Sequence, residues 1–567
     1  MAPARADARA PRPTLTRGGQ LALLALPALF LAVFFLQPVA AIVWRGLAPN
    51  GVLDPSEVVA VLGSSSVRGV VWFTLWQAVA STVLTLALGL PGAYALSRLR
   101  FRGRRTVSAL VLVPFVLPTV VVGSAFLALL GPRSPINGAL TAVFGASAPT
   151  VDLRRTVAAI LLAHAFFNYA VVVRTVGGAW ANLDPRLEDA ARSLGASRWR
   201  AAREVALPLL RPAIAASAAI VFLFTFTSFG VVLLLGGPGL ATIEVEIHRA
   251  TVQLLDLPLA SVLALLQLVA VLVALTVYGR LQRRAVPRTP RAADEALHRP
   301  ATVGERWFLR ANLAVITVLL LAPPAVLVER ALATDGGYGL TNFTGLATQE
   351  RGTVLSVAPL EAVRNSLTFA VAAALMATVI GTCTAVAVTG RRGRLTRAID
   401  RGLMLPLGTS AVTVGFGFLI SLDRPPFDLR ASPLLVPIAQ ALIATPFVVR
   451  SLVPAIEAID DRLRGAAGVL GAPPRRIWRE IDLPIVARTA LVAAGFAFAV
   501  AVGEFGATVF IARAELPTVP VAIFRALGRP GAANFGQAMA LSTMLMVVTA
   551  SALLVIDRFR VGDVGRF

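Results

Sequence analysis

The chain has 567 residues, of which 57% are hydrophobic and only 15% are charged, and its formal net charge is +23. A soluble globular chain of this length carries more charged and fewer apolar residues, so the composition predicts a polytopic membrane protein. The positive charge does not indicate nucleic-acid binding, because the arginines cluster between apolar runs and lack interleaved aromatic residues. We therefore expect membrane lipid, and no nucleic acid, among the partners.

The cationic residues and the single cysteine exclude several kinds of active site and metal site. All 53 Lys and Arg positions are arginine, and a P-loop needs a lysine at the phosphates, so the chain cannot be a standard ATPase by itself. A single cysteine, Cys383, excludes an intramolecular disulfide and a Cys-based metal cage. Neither an HExxH nor a GxSxG motif occurs. The sequence thus predicts no catalytic residue, no metal site and no cofactor on this chain.

Apolar runs long enough to span a membrane recur along the chain. Crossing a hydrocarbon core of roughly 30 Å takes about 20 helical residues. The basic, proline-rich residues 1–20 precede a run too long for the apolar core of a signal peptide, which predicts a first membrane helix starting in the cytoplasm. The runs predict twelve membrane helices, near residues 21–43, 70–97, 107–130, 156–180, 210–235, 258–280, 311–329, 364–389, 399–421, 432–455, 488–512 and 536–556.

The arginines are unevenly distributed among the loops between these runs. Residues 98–105, 280–310, 391–401 and 558–566 are rich in arginine and fall on the same side as the N-terminus, whereas the loop at 236–257 is acidic. Cytoplasmic loops carry the excess of positive charge. We therefore expect a multi-pass protein of the bacterial plasma membrane with both termini in the cytoplasm.

The same pattern divides the chain into two halves. A cytoplasmic tail at 1–20 precedes a first six-helix half at 21–280, and a linker at 281–310 joins it to a second six-helix half at 311–567. Because six is an even number, both halves enter the membrane in the same sense. The arrangement predicted is therefore a parallel repeat about an axis along the membrane normal.

One polar segment occurs once in each half. Residues 183–208 and 460–484 align without a gap at an offset of 276, and identical residues recur from Asp184/Asp460 to Pro208/Pro484. Such repetition indicates an internal duplication. Upstream the offset becomes 292, so the first half carries about sixteen extra residues in an external loop around 131–155.

Each copy has the local chemistry of a helix-turn-helix. In the first copy, Asp184 fits the N-cap of a helix, Pro185 fits its first position, and Gly195 ends it. A second helix is predicted to begin near Ser197 and to reach the next apolar run. We call residues 183–208 and 460–484 the first and second coupling loops, for the reason that follows.

Both loops resemble the cytoplasmic coupling loop of binding-protein-dependent ABC importer permeases. The family signature is Glu-Ala-Ala, three residues, Gly, and a hydrophobic stretch ending in Leu-Pro. Its first position departs here, being Asp189 in one copy and Gly465 in the other. The coupling residues that the resemblance implies are Asp189, Ala190, Ala191, Gly195, Leu207 and Pro208 in the first loop, and Gly465, Ala466, Ala467, Gly471, Leu483 and Pro484 in the second.

This resemblance implies a fold, partners and an energy source. The fold is the all-α transmembrane domain of a type I ABC importer. The partners are separate ABC ATPase subunits, expected as a homodimer with a cleft for each coupling helix, and an extracytoplasmic solute-binding protein. ATP is then used by the partner subunits and not by this chain.

Four polar residues inside the predicted membrane helices are candidates for the translocation path. Ionisable groups in a membrane are costly and often functional. Glu504 lies in the eleventh run, Ser228 stands at the equivalent position of the first half, and His164 and Asn168 share one face of the fourth helix. Hydrogen bonding between helices, without any contact to solute, is the alternative role.

Three classes of function remain open on the sequence alone. The favoured class is the fused permease of an ABC importer, and a secondary transporter of six plus six helices is the alternative. A membrane-embedded enzyme is disfavoured because its motifs are missing. Residues 227–252 resemble thiamine permeases, whereas residues 503–511 are closer to molybdate, sulfate and iron permeases. We therefore rank thiamine and ferric iron above an oxyanion as the solute.

Overall fold

The computed structural model describes residues 17–48, 51–145, 147–283, 297–334, 336–348, 356–390, 393–423 and 428–559. Across these ranges nearly every element is a helix, and the strands are one short hairpin in which Ala333–Thr334 pairs antiparallel with Gly337–Tyr338. Eleven helices of the described residues are long and apolar enough to cross a membrane, or twelve when one bent pair counts as a single span. The predicted all-α, polytopic fold is confirmed.

The chain forms two compact units whose limits differ from those of the sequence halves. Unit A contains the described residues of Val43–Pro359 and Ala522–Met546, and unit B contains those of Met1–Ile42, Leu360–Val521 and Val547–Phe567. The first membrane helix thus belongs to the unit that holds most of the second half. Four helices cross or start at these limits, Gln37–Leu47, Pro359–Gly390, Val519–Leu527 and Ala532–Phe559.

Unit A is built around two long helices, Ser65–Arg98 and Val157–Ala181, which pack along each other. A Cβ atom on Gly89 would lie 2.8 Å from the side chain of Val172, so this close approach requires glycine. The other helical segments of unit A are Pro55–Gly63, Arg104–Leu110, Val113–Phe115, Thr119–Leu130, Pro135–Phe144, Pro185–Ser193, Arg198–Ala201, Ala202–Ala206, Leu207–Phe226, Gly230–Leu235, Ile243–Val252, Leu257–Arg283, Val303–Leu332, Thr341–Thr344 and Gly345–Ala347.

Unit B repeats this packing. Gly381 would place a Cβ 2.6 Å from Val448, and these two residues are the equivalents of Gly89 and Val172 at the offsets of 292 and 276. The internal repeat therefore extends to matched helix contacts. The helical segments of unit B are Arg17–Leu31, Ala32–Leu36, Arg394–Gly408, Ala411–Ser421, Leu435–Glu457, Asp461–Val469, Pro474–Ile477, Trp478–Asp482, Leu483–Val502 and Thr508–Ile511.

The fifth and eleventh predicted helices are interrupted at equivalent places. Long helices end at Phe226 and Val502, and short helices resume at Gly230 and Thr508. Apolar residues flank both breaks closely, so the hydropathy that predicted each span could not locate the breaks. The breaks hold Ser228 and Glu504, two of the predicted path residues.

The third and ninth predicted helices are not single helices either. The run 107–130 is divided by Pro118, which has no N–H to donate and stands at the N-cap of helix Thr119–Leu130. The run 399–421 bends by 101° just before the helix that Ser410 caps. A backbone without regular bonds needs other partners, and the Ser410 hydroxyl accepts from Val412 N at 3.0 Å.

The acidic segment at 236–257, predicted as a loop, contains the helix Ile243–Val252. Glu244 on this helix is fully buried, and its carboxylate accepts a hydrogen bond of 2.9 Å from Gln267 Nε2. The segment is therefore not a simple acidic loop, because a carboxylate with a buried donor does not need water.

The linker predicted at 281–310 is shorter than expected. Helix Leu257–Arg283 extends into it, and residues 284–296 lie outside the described residues. The next long helix starts at Val303 because Thr302 and Glu305 form a capping box. Most of the predicted tail at 1–20 also lies outside the described residues, and the first helix begins at Arg17.

Candidate coupling loops and intramembrane polar residues

The first coupling loop has the predicted helix-turn-helix geometry. Asp184 caps helix Pro185–Ser193 by accepting a hydrogen bond of 3.1 Å from Arg186 N. Gly195 has a φ of +91°, a conformation that favours glycine, and the following Ala196 N donates 3.1 Å back to Ala191 O. The helix therefore ends in a turn that its glycine makes possible.

The second coupling loop repeats this backbone bond for bond. Asp460 accepts from Arg462 N at 2.9 Å, Gly471 has a φ of +79°, and Ala472 N donates 3.0 Å to Ala467 O. Each of these atoms is the equivalent of one in the first loop at the offset of 276. The two loops thus present the same shape.

A π-helical turn joins each loop to its membrane helix at the same position. It spans Ala202–Ala206 in the first loop and Trp478–Asp482 in the second. Leu207 N donates to Ala202 O, five residues back. Pro208 follows directly and cannot make the regular bond to the carbonyl four residues earlier, which is consistent with the wider turn.

The coupling helices leave apolar side chains uncovered. Leu194 is 90% exposed, and its equivalent Leu470 is 87% exposed. Asp189 is also exposed and pairs with Arg192 at 3.3 Å, whereas the space around Gly465 is open. The remaining predicted coupling residues lie on or beside this surface: Ala190, Ala466, Gly195, Gly471, Leu207, Leu483 and Pro484 are exposed, and Ala191, Ala467 and Pro208 are partly buried.

His164 and Ser228, two of the predicted path residues, are brought together by the fold. His164 Nε2 lies 2.7 Å from Ser228 Oγ, and His164 Nδ1 lies 2.8 Å from Ser81 Oγ on helix Ser65–Arg98. A neutral imidazole donates from one nitrogen and accepts at the other, so both contacts can be hydrogen bonds. Ser81 could not be predicted as a partner of His164, because a serine inside an apolar run carries no periodic signal.

Asn168 is not part of this bridge in the structure. Its side-chain amide donates 2.9 Å to the backbone oxygen of His164, one turn back on the same helix. Both side chains are buried, at 4% and 2% exposure. The two residues do share a face, as predicted, but only His164 links different helices.

The segment after each break is fixed by one hydroxyl at equivalent positions. Thr74 Oγ1 accepts from Ile243 N at 3.0 Å, and Ser366 Oγ accepts from Val519 N at 2.8 Å. Thr74 and Ser366 are equivalent at the offset of 292, and Ile243 and Val519 are equivalent at the offset of 276. The breaks are therefore repeated features of the fold and not local irregularities.

The Glu504 carboxylate caps the short helix that follows its break. It accepts hydrogen bonds from Ala507 N at 2.7 Å and Thr508 N at 3.0 Å, and one from the Thr508 hydroxyl. Glu504 is 7% exposed. Its oxygens are thus directed at the backbone, which gives the residue a packing role whether or not solute passes beside it.

Comparisons with known proteins give the family of this chain. Residues 85–289 match the family of binding-protein-dependent transport system inner membrane components. The chain is 35% identical over 206 residues to a probable molybdenum ABC transporter permease protein of Haloferax volcanii, covering 70% of that protein and 36% of this chain. The chain belongs to the binding-protein-dependent ABC importer permeases. As such it is a transport subunit and a multi-pass membrane protein.

Other relatives match most of this ABC permease. It is 28% identical over 489 residues to a thiamine transport system permease protein of Brucella abortus, with 86% of each chain covered. The corresponding protein of Escherichia coli is 28% identical over 486 residues, with 83% of this chain and 85% of that one covered. A crystal structure of a bacterial alginate ABC transporter aligns at a TM-score of 0.41 and 17% identity, over 47% of this chain and 95% of that one.

Proposed function

We propose that this permease is the membrane subunit of an ATP-driven importer that receives a solute from an extracytoplasmic binding protein. Its two coupling loops dock on separate ATPase subunits, which hydrolyse the ATP. The observation that carries the proposal is the pair of equivalent leucines, Leu194 and Leu470, exposed at the ends of two helices of identical backbone.

Leucines as exposed as these favour a partner that covers them. The recurrence of an exposed leucine at the same position of both loops favours a repeated partner, and two copies of one shape fit two copies of one partner. Two identical ATPase subunits meet that requirement. The chain itself lacks the lysine of a P-loop, so it supplies docking surfaces and no nucleotide site.

Docking is tested by replacing each leucine with a charged residue. Leu194→Asp and Leu470→Asp should each reduce co-purification of the ATPase, because each buries a carboxylate in the contact. Val52→Asp is the control, since Val52 is 72% exposed and lies outside both loops. Normal co-purification with both leucine variants would contradict the docking surface.

We propose thiamine as the solute. Two permeases that match over more than four-fifths of this chain are named for thiamine transport, and residues 227–252 resemble that group. The relative named for molybdenum matches 36% of the chain, which gives the oxyanion alternative narrower support. Ferric iron now ranks below thiamine.

The solute is tested in proteoliposomes that contain the permease, its ATPase and the binding protein. Labelled thiamine should enter only when ATP is present on the side of the membrane where the ATPase is bound. Ferric iron and molybdate should not enter. Uptake of molybdate in place of thiamine would reverse the ranking. Thiamine uptake by the permease alone, under an ion gradient, would support a secondary transporter.

A further inference from the structure

Among the aligned positions at which the two coupling loops differ, one carries opposite charges in the two copies. Glu188 in the first loop stands at the position of Arg464 in the second, so the charge is reversed between equivalent sites. Neither side chain is free in the structure. Each forms an ion pair, and the two pairs lead to different parts of the fold.

Glu188 ties the first coupling helix to the end of helix Ser65–Arg98. Its carboxylate accepts a hydrogen bond of 3.0 Å from Arg98 Nη2, and the Arg98 side chain is only 5% exposed. Arg98 lies at the end of helix Ser65–Arg98 and Glu188 in the first turn of helix Pro185–Ser193, so both charges suit the helix dipoles. The backbone of Arg98 also accepts from His298 N at 3.0 Å.

Arg464 ties the second coupling helix to the start of helix Leu483–Val502. Its Nε donates 2.9 Å to Asp482, which is 1% exposed, and its Nη1 donates 2.7 Å to Asp461. Asp482 directly precedes the membrane helix, where its negative charge is also favourable.

Each loop lacks the partner that the other uses. The equivalent of Arg98 in the second half is Gly390, and the equivalent of Asp482 in the first half is Ala206. The charge at the shared position is therefore matched to the partner that its own half provides. A buried charge without its partner is strongly unfavourable, so each pairing is specific.

We propose that the two coupling loops act on different membrane helices, the first on Ser65–Arg98 through Arg98–Glu188 and the second on Leu483–Val502 through Arg464–Asp482. Arg98 and Arg464 are positioning residues, since each acts through the carboxylate with which it forms an ion pair. The proposal rests on the docking of ATPase subunits to both loops. A buried ion pair transmits displacement of a docked helix to the helix it is tied to.

The first test uses the permease alone and trypsin, which cleaves at arginine. Glu188→Gln should raise the cleavage rate within the first coupling loop only, and Asp482→Asn should raise it within the second only. Both substitutions keep the side-chain shape and every cleavage site. Glu204→Gln is the control, because Glu204 pairs with Arg200 on the surface, at 58% and 67% exposure. Equal loosening of both loops by either variant would overturn the proposal.

The second test adds the ATPase and the binding protein and measures solute moved per ATP hydrolysed. Glu188→Gln should lower this ratio about tenfold, within the usual range of coupling between sites, while ATPase co-purification persists. The exchange Arg98→Glu with Glu188→Arg should restore most of the loss. A ratio unchanged by Glu188→Gln, or a loss that the exchange does not relieve, would also overturn the proposal. If the ATPase fails to bind the unmodified permease, the proposed function is wrong. The trypsin test then decides alone whether each ion pair ties its coupling loop to a membrane helix.

Discussion

Glu504 shows that an intramembrane residue predicted to line a solute path can also hold the backbone around it. Its position in an apolar run predicts a role in the path, yet its carboxylate accepts three hydrogen bonds from the next short helix. A carboxylate that satisfies backbone N–H groups in this way stabilises the break itself. We therefore expect substitution of Glu504 to lower the stability of the permease before it affects any contact with solute.

Substitution of Glu504 separates these roles. Glu504→Ala should lower the stability of the solubilised permease by about 1–3 kcal/mol, the cost of leaving buried donors unpaired. Glu504→Gln keeps an acceptor oxygen and should be milder. Thermal unfolding in detergent measures both. If the alanine variant keeps its unfolding temperature and loses only transport, the carboxylate acts on the solute.

The glycines of the coupling loops are not equivalent to one another. Gly195→Ala and Gly471→Ala should each cost about 1 kcal/mol, because alanine is strained at a positive φ. Gly465→Ala should be neutral or mildly stabilising, since Gly465 is helical and the space around it is open. Thermal unfolding measures the stability of each variant, and co-purification measures its binding to the ATPase. A Gly465→Ala variant as damaged as Gly195→Ala would show that the partner needs the space.

At the scale of elements, the sequence predicted helices better than the interruptions within them. Twelve apolar runs and the capped loops follow from hydropathy and from Asp and Gly at fixed places. The breaks near Ser228 and Glu504 do not, because their partners, such as Thr74 and Ser366, are distant in sequence. Ser81 was missed as a partner of His164 for the same reason.

The extra segment of the first half is an element that depends on one side chain. The sixteen additional residues include helix Pro135–Phe144. Asn137 Nδ2 donates to Gly131 O at 3.1 Å and to Val151 O at 2.7 Å, and its Oδ1 accepts from Val151 N at 2.7 Å. Buried amide networks of this kind fix loop ends.

Asn137→Ala should therefore release this helix without disturbing the rest. Trypsin should cleave faster at Arg133 and Arg154, and the melting temperature of the whole permease should change little. Thr141→Ala is a matched control, since the Thr141 hydroxyl donates to the carbonyl of Asn137 in its own helix. Unchanged cleavage after Asn137→Ala would mean that apolar packing alone holds the segment.

At the scale of the whole molecule, the arginine distribution predicts that both coupling loops and both termini are cytoplasmic. Leu194→Cys and Leu470→Cys, in a Cys383→Ala background, should not react with an impermeant thiol reagent added outside intact cells. Both positions are highly exposed, so they should react after the cells are opened. Thr150→Cys, in the predicted external loop, should react in either case. Labelling of either leucine position from outside would reverse the topology.

The division into compact units has a consequence for the gene. Unit B needs the first helix, which precedes the linker, and unit A needs Val303–Leu332 and residues 522–546, which follow it. Cutting the coding sequence within residues 284–296 would leave two polypeptides, each lacking pieces of both units. Either fragment alone should be degraded, whereas the two expressed together should accumulate. Because one chain carries both halves, each round of translation produces these mutually dependent pieces in equal number.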